Sequence, residues 1–290
     1  MTTRSLSTIF PRSLDQLTSR FKRKANNQLS RRDRSTERLS VIIPTLWGPN
    51  PQFVLKLLHK LNRMRQVGEI ILIDNDPSKA PEFPKDLHKL IHLPQRTNRF
   101  VNPSWNLGVE YARCPIVALC NDDILPPQKA FQLALEALME PQPVGLIGLD
   151  KSCFEKHSDP RPPIIHNTHQ RRYGYGCLMI LRKAHYKPIP NWIRIYSGDT
   201  WLFEHQAAEG RYNLCIANLP IKRWKKKHST TSSRPEFAPI KSTDDYSFGC
   251  IQDLHHHHTD AGVNRAILQA LERIAAELKA LRNELRDRGG

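Results

Sequence analysis

Short apolar runs that end in a polar residue, with amphipathic segments between them, constrain the fold of this chain more than any other feature. Residues 39–44 and 69–74 are two such runs, rich in Ile, Leu and Val, and they flank residues 51–65, where apolar residues recur at helical spacing. Strands that are apolar along their whole length are buried on both faces, which is typical of a parallel sheet covered by helices. The sequence therefore predicts an α/β fold.

The same alternation continues through the middle of the chain. Further strands are predicted at residues 87–93, 115–120, 144–149, 176–181 and 214–221. Helices are predicted at residues 102–112, 128–139 and 199–209. We expect a mostly parallel sheet flanked by helices, in a main domain that covers residues 39–249.

The chain is strongly basic. It carries 44 Lys and Arg against 28 Asp and Glu, a formal net charge of +16, which attracts nucleotide phosphates, anionic lipids or nucleic acid. Residues 1–38 are basic and are predicted to be either a disordered, solvated arm or an amphipathic helix on an anionic membrane. No run reaches the roughly 18 apolar residues of a membrane span, and the scattered cysteines show no metal-binding spacing. We therefore expect a reduced, cytoplasmic protein, either soluble or peripheral at the inner face of a membrane.

The end of the chain has a different pattern. Residues 250–262 are polar and histidine-rich and are predicted to be a linker. Residues 263–288 are predicted to form a coiled-coil helix, native or appended, because apolar residues recur there at spacings of four and three. Leu at a and Ile at d favour a homo-oligomer of three or four chains. The alternative is a single amphipathic helix docked on the main domain.

Polar side chains follow three of the predicted strands. Thr45 ends the first strand, Asp74 and Asn75 end the second, and residues 121–123 (Asn-Asp-Asp) follow the fourth. In open parallel sheets, ligands bind beyond the carboxyl ends of the strands. Carboxylate and amide oxygens gathered at one edge suit a cation or a hydroxyl-rich ligand, although each acidic residue alone could be a helix cap.

Four segments carry a resemblance to a known family. They are Leu-Ser-Val-Ile-Ile-Pro-Thr at 39–45, Ile-Leu-Ile-Asp-Asn at 71–75, Trp-Asn-Leu-Gly at 105–108 and Leu-Cys-Asn-Asp-Asp at 119–123. Together they resemble the nucleotide-sugar half of family 2 glycosyltransferases of the GT-A fold. The resemblance implies an inverting enzyme that transfers a sugar, of hexosyl type, from a nucleoside-diphosphate donor to a hydroxyl group of a glycan or glycolipid acceptor.

The resemblance also implies a divalent cation, Mn²⁺ or Mg²⁺, at the end of the fourth strand. Asp123 is expected to bind the metal directly and Asp122 to hold the donor ribose or a metal-bound water, while Asn121 stands in place of the first acidic residue of the D-x-D motif. A hard cation suits such oxygen ligands and neutralises a departing diphosphate. His228 matches by position a family histidine that binds metal or diphosphate; the alternative is an incidental histidine in a basic surface loop.

For the donor, the resemblance implies that Pro44 and Thr45 line the base pocket and that Asp74, with Asn75 beside it, contacts the nucleobase or the ribose. Asn106 is expected to border the donor, although an ordinary helix residue would look the same.

Asp199 matches the catalytic aspartate of the family, with Gly198 in place of the usual acidic neighbour. Its carboxylate would accept the proton of the acceptor hydroxyl; the alternative is a helix cap. Residues 160–176 are rich in Pro, Gly and aromatic residues and are expected to form a mobile loop that touches the acceptor.

Two other functions are compatible with parts of the sequence. A sugar nucleotidyltransferase would share the sheet, but its phosphate loop usually combines glycines with a basic residue, and residues 46–51 hold one glycine and no Lys or Arg. A basic coiled-coil scaffold for nucleic acid would share the charge, but acidic strand ends repel phosphates unless a metal lies between them. We therefore expect a nucleotide-sugar donor and no nucleic-acid partner.

Overall fold

A mixed sheet lies at the centre of the structure. The computed structural model describes residues 37–48, 50–155, 161–223 and 235–257, with the backbone alone at residues 236 and 250–257. Its strands are β1 (Leu39–Thr45), β2 (Val67–Asp74), β3 (Leu90–Pro94), β4 (Ile116–Cys120), β5 (Ile124–Leu125), β6 (Val144–Leu149), β7 (Ile164–Asn167), β8 (Leu178–Arg182), β9 (Tyr212–Ala217) and β10 (Lys222–Arg223). Within the described residues, eight strands pair in the order β3-β2-β1-β4-β8-β6-β9-β7, and β5 pairs with β10. Strands β1 to β4 are mutually parallel, and β8 runs antiparallel to β4 and β6.

Helices cover both faces of this sheet. They are α1 (Pro51–Asn62), α2 (Val101–Tyr111), α3 (Gln128–Leu138), α4 (Gly198–Ala208) and α5 (Ala238–His257). Side chains alternate along β1, so Val41 and Ile43 join the core shared with α1 and α3, whereas Ile42 joins the core shared with α2 and α4. Gly108 of α2 lies so close to Ile42 that a Cβ would overlap it. The predicted α/β architecture, with a mostly parallel sheet between helices, is confirmed.

Three predicted strands begin or end at other residues in the structure, and the one expected at residues 87–93 begins only at Leu90. The strand expected at residues 176–181 begins at Leu178, because Tyr175–Cys177 form a short 3-10 helix. The strand expected at residues 214–221 ends at Ala217. Asn218 has φ 58°, a left-handed conformation that turns the chain, and its N–H bonds to Oγ of Ser152 at 2.9 Å.

Helix α5 continues to His257 and therefore includes residues 250–257 of the predicted linker. Phe248 of α5 lies in the same core as residues of α4, so the docking of this helix explains an element that its sequence pattern did not predict. Among the described helices, none combines the length and the apolar character that a membrane crossing requires. Residues 1–36, the remaining linker residues and the coiled coil predicted at 263–288 lie outside the described residues.

Candidate active site

A cavity of about 330 Å³ opens at the edge of the sheet where β1, β2 and β4 end. Parallel strands bring their carboxyl ends to one edge, and the first turn of α4 reaches the same cavity from the second half of the domain. The predicted site residues that line it are Pro44, Thr45, Asn75, Asn121, Asp122, Asp123 and Asp199. Aromatic side chains supply much of the remaining wall, namely those of Phe100, Trp105, Tyr173, Tyr196 and Phe237.

Asp122 and Asp123 place two carboxylates in one corner of this cavity. Thr45 donates a hydrogen bond from Oγ1 to Oδ2 of Asp122 at 2.7 Å. Desolvation and the neighbouring charge of Asp123 raise the pKa of Asp122 to about 7. Asp123 accepts a hydrogen bond at Oδ2 from Nε of Arg223 at 3.1 Å, whereas its Oδ1 is buried and has no partner among the described residues. The corner therefore holds an acidic pair that a cation would stabilise.

The pairing of β5 with β10 explains why Arg223 meets Asp123. Arg223 lies opposite Ile124, the residue that follows Asp123, in the antiparallel register of these two strands. Its guanidinium lies 5.8 Å from the centre of the Phe154 ring and hydrogen bonds to Tyr173. A basic side chain from 100 residues further along the chain thus becomes part of the acidic corner.

The acidic corner fits a divalent cation that is bound together with a phosphate ligand. No group of three or more His, Cys, Asp or Glu converges within the described part of the chain, so these residues alone do not enclose a metal. Mg²⁺ at phosphate sites is commonly held by one or two carboxylates plus phosphate oxygens and water. The buried, unpartnered Oδ1 of Asp123 beside Asp122 supplies such a donor set. His228, the other predicted ligand, lies outside the described residues.

Asp199 is held in one orientation in the first turn of α4. Its Oδ1 accepts the N–H of Thr200 at 3.0 Å, and its Oδ2 accepts a hydrogen bond from Nη1 of Arg171 at 3.0 Å. Gly176 lies behind the carboxylate, where a Cβ would come within 2.7 Å of Oδ2. The side chain retains 18% of its exposed area, so it faces the cavity and is reachable from it.

The fold explains the glycine at position 198. A Cβ there would overlap the carboxamide of Asn102. Asn102 is buried and donates through Nδ2 to the carbonyl oxygens of Ile193 at 3.0 Å and Tyr196 at 3.2 Å. An acidic side chain beside Asp199 would therefore displace an asparagine that ties the preceding turn to α2.

Two predicted donor-binding residues do not line the cavity. Asp74 is fully buried; its Oδ1 accepts from Nε1 of Trp47 at 2.8 Å and its Oδ2 lies 2.9 Å from Nε2 of His92. Asn106 donates to the carbonyl oxygen of Ile189 at 2.8 Å and accepts the N–H of the same residue at 2.9 Å. Both side chains have hydrogen bonds within the fold, and their contact with the donor stays a prediction.

Arg171 and Arg223 line the cavity and were not predicted as site residues. Each belongs to a segment with a visible signal: Arg171 to the aromatic loop at 160–176, and Arg223 to the basic cluster at 222–227. Arg171 pairs with Asp199 and Arg223 with Asp123, and the partners are far apart in the sequence. Such pairs leave no periodic pattern from which they could be predicted.

One family model matches this chain, and two solved structures resemble it. The model of glycosyl transferase family 2 matches residues 40–211, which is more than half of the chain. Among solved structures, TarS 1-349 from S. aureus has a TM-score of 0.47 and 12% identity, over 63% of this chain and 59% of that one, so this chain spans less than two thirds of its length. A mannosyltransferase, PcManGT from Pyrobaculum calidifontis, in complex with GDP-Man and Mn²⁺, has a TM-score of 0.49 and 13% identity, over 90% of this chain and 88% of that one. No match is found among curated proteins. On the family match, the chain belongs to glycosyl transferase family 2.

Proposed function

We propose that this chain transfers a hexosyl group from a nucleoside-diphosphate donor to a hydroxyl group of a glycan or glycolipid, with inversion at the anomeric carbon. One observation carries the proposal: Asp123 and Asp199 line the same cavity of about 330 Å³. A corner suited to a phosphate-bound cation and a carboxylate suited to act as a base therefore face one volume. That is the arrangement a single displacement between a sugar diphosphate and a hydroxyl requires.

The acidic corner is the proposed site of the donor diphosphate. Asp123, through its unpartnered Oδ1, and Asp122 would hold Mn²⁺ or Mg²⁺. A divalent cation there neutralises the negative charge that leaves with the diphosphate. Arg223 donates a hydrogen bond to Asp123 at 3.1 Å. Its guanidinium provides a second positive charge, fixed in place, for the oxygens of the diphosphate. His228 remains a proposed additional ligand from the basic segment that follows β10.

Asp199 is the proposed general base. Its carboxylate accepts the proton of the acceptor hydroxyl while the acceptor oxygen bonds to the anomeric carbon and the bond from that carbon to the diphosphate oxygen breaks. Bond formation and cleavage on opposite sides of the carbon invert its configuration. Arg171 fixes Oδ2 of Asp199 at 3.0 Å, so the carboxylate is oriented before the acceptor arrives.

The walls of the cavity divide into two proposed subsites. Pro44, Thr45 and Asn75, at the ends of β1 and β2, form the wall that we assign to the nucleobase and ribose. Tyr173 is 59% exposed at the rim and belongs to the loop that supplies Arg171. An exposed aromatic ring at this position suits stacking on a sugar face of the acceptor.

A thermal-shift screen tests the donor class. The chain is melted with UDP, GDP, dTDP or CMP, each with and without MnCl₂. We expect one nucleoside diphosphate to raise the melting temperature, with a larger rise in MnCl₂. The same nucleotide should leave the melting temperature of Asp123→Ala unchanged. Equal melting curves with every nucleotide would count against a nucleotide-sugar donor.

Two proposals concern the ends of the chain, which lie outside the described residues except for residues 37 and 38. Residues 263–288 are proposed to form a coiled coil that assembles three or four chains, and residues 1–38 to contact an anionic membrane surface. Light scattering of a chain that ends at residue 259 tests the first, with a monomer expected. Co-sedimentation of a chain that begins at residue 39 with phosphatidylglycerol vesicles tests the second, with lost binding expected.

A further inference from the structure

A carboxylate from the C-terminal helix holds the turn that leads into Asp199. The side chain of Asp244, on α5, is fully buried. It accepts hydrogen bonds from three consecutive backbone N–H groups, those of Arg194 at 3.1 Å, Ile195 at 2.8 Å and Tyr196 at 3.0 Å. Successive N–H groups that point at one anion form a nest. Here the anion is a residue of the chain itself, so the nest ties α5 to this turn.

Helix α2 binds carbonyl groups of the same turn. The backbone N–H of Asn102 donates to the carbonyl oxygen of Arg194 at 3.0 Å, and its Nδ2 donates to the carbonyl oxygens of Ile193 and Tyr196. The N–H groups of residues 194–196 are thus bound by Asp244, and the carbonyl groups of Arg194 and Tyr196 by Asn102. A backbone segment with both sets of groups engaged has little conformational freedom.

This turn is part of the cavity wall and directly precedes the proposed base. Ile195 and Tyr196 line the cavity together with Asp199. Ser197, between Tyr196 and Asp199, has φ 59°, a conformation that an L-residue adopts only where surrounding contacts fix it. The direction in which Asp199 leaves the helix therefore depends on how firmly residues 194–196 are held.

Other contacts of α5 and of the short segment before it also reach the cavity. Phe237 lies edge-to-face against Phe100 at a ring distance of 6.4 Å, and both line the cavity. Nζ of Lys241 lies 5.7 Å from the ring centre of Tyr196. The whole helix lies beyond residues 40–211, the part of the chain that the family model matches. Its contribution to the site is therefore not contained in the family match.

We propose that Asp244 is a positioning residue for the transfer reaction. By holding residues 194–196 it sets the direction of the Asp199 carboxylate and the wall that faces the acceptor. This inference rests on the proposed role of Asp199. An asparagine would keep one acceptor oxygen but turn an NH₂ group towards backbone N–H groups, and the turn would move to satisfy the N–H groups left without an acceptor. A displacement of about 1 Å at a reacting group lowers the rate by about 100-fold.

The test compares Asp244→Asn and Asp244→Glu with Asp245→Asn, a matched control. Asp245 is the next residue of the helix, is exposed, and forms an ion pair with Lys241. The activity measured is the release of nucleoside diphosphate from UDP-glucose, GDP-mannose and dTDP-glucose in MnCl₂. The thermal shift with UDP, GDP or dTDP is measured on the same samples.

We expect Asp244→Asn to lower kcat by about 10- to 100-fold with an unchanged nucleotide shift, and Asp245→Asn to match the wild type. Asp244→Glu, which keeps both acceptor oxygens, should lie between them.

Each other outcome overturns the proposal. A wild-type kcat in Asp244→Asn shows that the turn does not depend on the nest, and a parallel loss of nucleotide binding shows general damage to the site. Failure of both Asp244 variants to fold shows a structural role alone. Inactivity of the wild type on all three donors would instead count against the proposed donor class, so the two failures are distinguishable.

Discussion

Nη1 of Arg171 lies 3.0 Å from Oδ2 of Asp199, so the proposed base shares its carboxylate with a cation from a loop that lines the same cavity. The arginine leaves Oδ1 paired only with the N–H of Thr200, among the described contacts. This geometry orients the carboxylate at the start of α4. It also makes Arg171 a residue on which transfer should depend without being a proton acceptor itself.

Arg171→Gln is therefore expected to lower kcat by about 10-fold, because one charge-assisted hydrogen bond that orients the base is lost. Nucleotide binding, measured by thermal shift, should not change. Arg172→Gln is the matched control, since it removes the same charge from the neighbouring residue, which does not line the cavity. Equal activity of the two variants would show that transfer does not depend on Arg171.

Asp123→Ala is expected to abolish the stimulation of donor turnover by MnCl₂ while the chain stays folded. The carboxylate is the partner of Arg223 and carries the one buried oxygen of the acidic corner that is unpartnered among the described residues. Turnover is followed with and without MnCl₂, and folding by circular dichroism. Asp86→Ala serves as control, because the Asp86 side chain is 64% exposed and lies outside the cavity lining. Undiminished metal stimulation in Asp123→Ala would remove this residue from the metal site.

Gly198→Ala is expected to reduce the free energy of unfolding by about 1–3 kcal/mol, since the new methyl group would overlap the carboxamide of Asn102 in a closely packed position. Gly249→Ala is the control, because a Cβ at that position of α5 meets nothing within 4 Å; it should be neutral or stabilising by about 0.5–1 kcal/mol through helix propensity. Urea unfolding measures both. Equal stability of the two variants would contradict the described packing of Gly198.

The buried carboxylate of Glu69 gives a prediction for the dependence of stability on pH. It accepts hydrogen bonds from Oγ of Ser40 at 2.6 Å and from N and Nε of Arg113 at 2.6 and 2.7 Å. Burial opposes the charged form, but these hydrogen bonds outweigh it and hold the pKa of Glu69 below its ordinary value.

A depressed folded pKa stabilises the fold above the ordinary glutamate pKa of about 4.3, and this stabilisation is lost as the pH falls through the lower, folded pKa. We expect urea unfolding below about pH 4.3 to show a steeper loss of stability for the wild type than for Glu69→Gln. Glu110→Gln, which changes an exposed carboxylate on α2, should follow the wild type. Identical slopes for wild type and Glu69→Gln would contradict the account.

The sequence was sufficient for the sheet and for the acidic edge of the site. Apolar strands followed by polar residues are a local pattern, and parallel strands place such residues at one edge, so Thr45, Asn75 and Asp123 could be predicted together. The same rule predicts Asp74 at this edge, where its carboxylate is bound by the indole of Trp47 and lies beside the ring of His92, and its contact with the donor stays a prediction. Hydrogen bonds between buried side chains that are far apart in the sequence follow no periodic pattern, so these partners of Asp74 could not be predicted from the sequence.

The arginines and Asp244 could not be predicted for a related reason. Arg223 reaches Asp123 through the register of a strand pair with only two residues on each strand. Asp244 reaches residues 194–196 through the docking of a helix whose sequence is weakly amphipathic and polar at its end. Both relations follow from tertiary packing, which decides helix and strand formation where local propensity is weak.

The most direct test of the account is the release of nucleoside diphosphate from UDP-, GDP- and dTDP-sugars by the wild type and by Asp199→Asn. We expect the wild type to turn over at least one donor, and Asp199→Asn to lose about 10²- to 10⁴-fold in kcat while the same nucleotide still raises its melting temperature. Wild-type turnover by Asp199→Asn, or no turnover of any donor by the wild type, would contradict it.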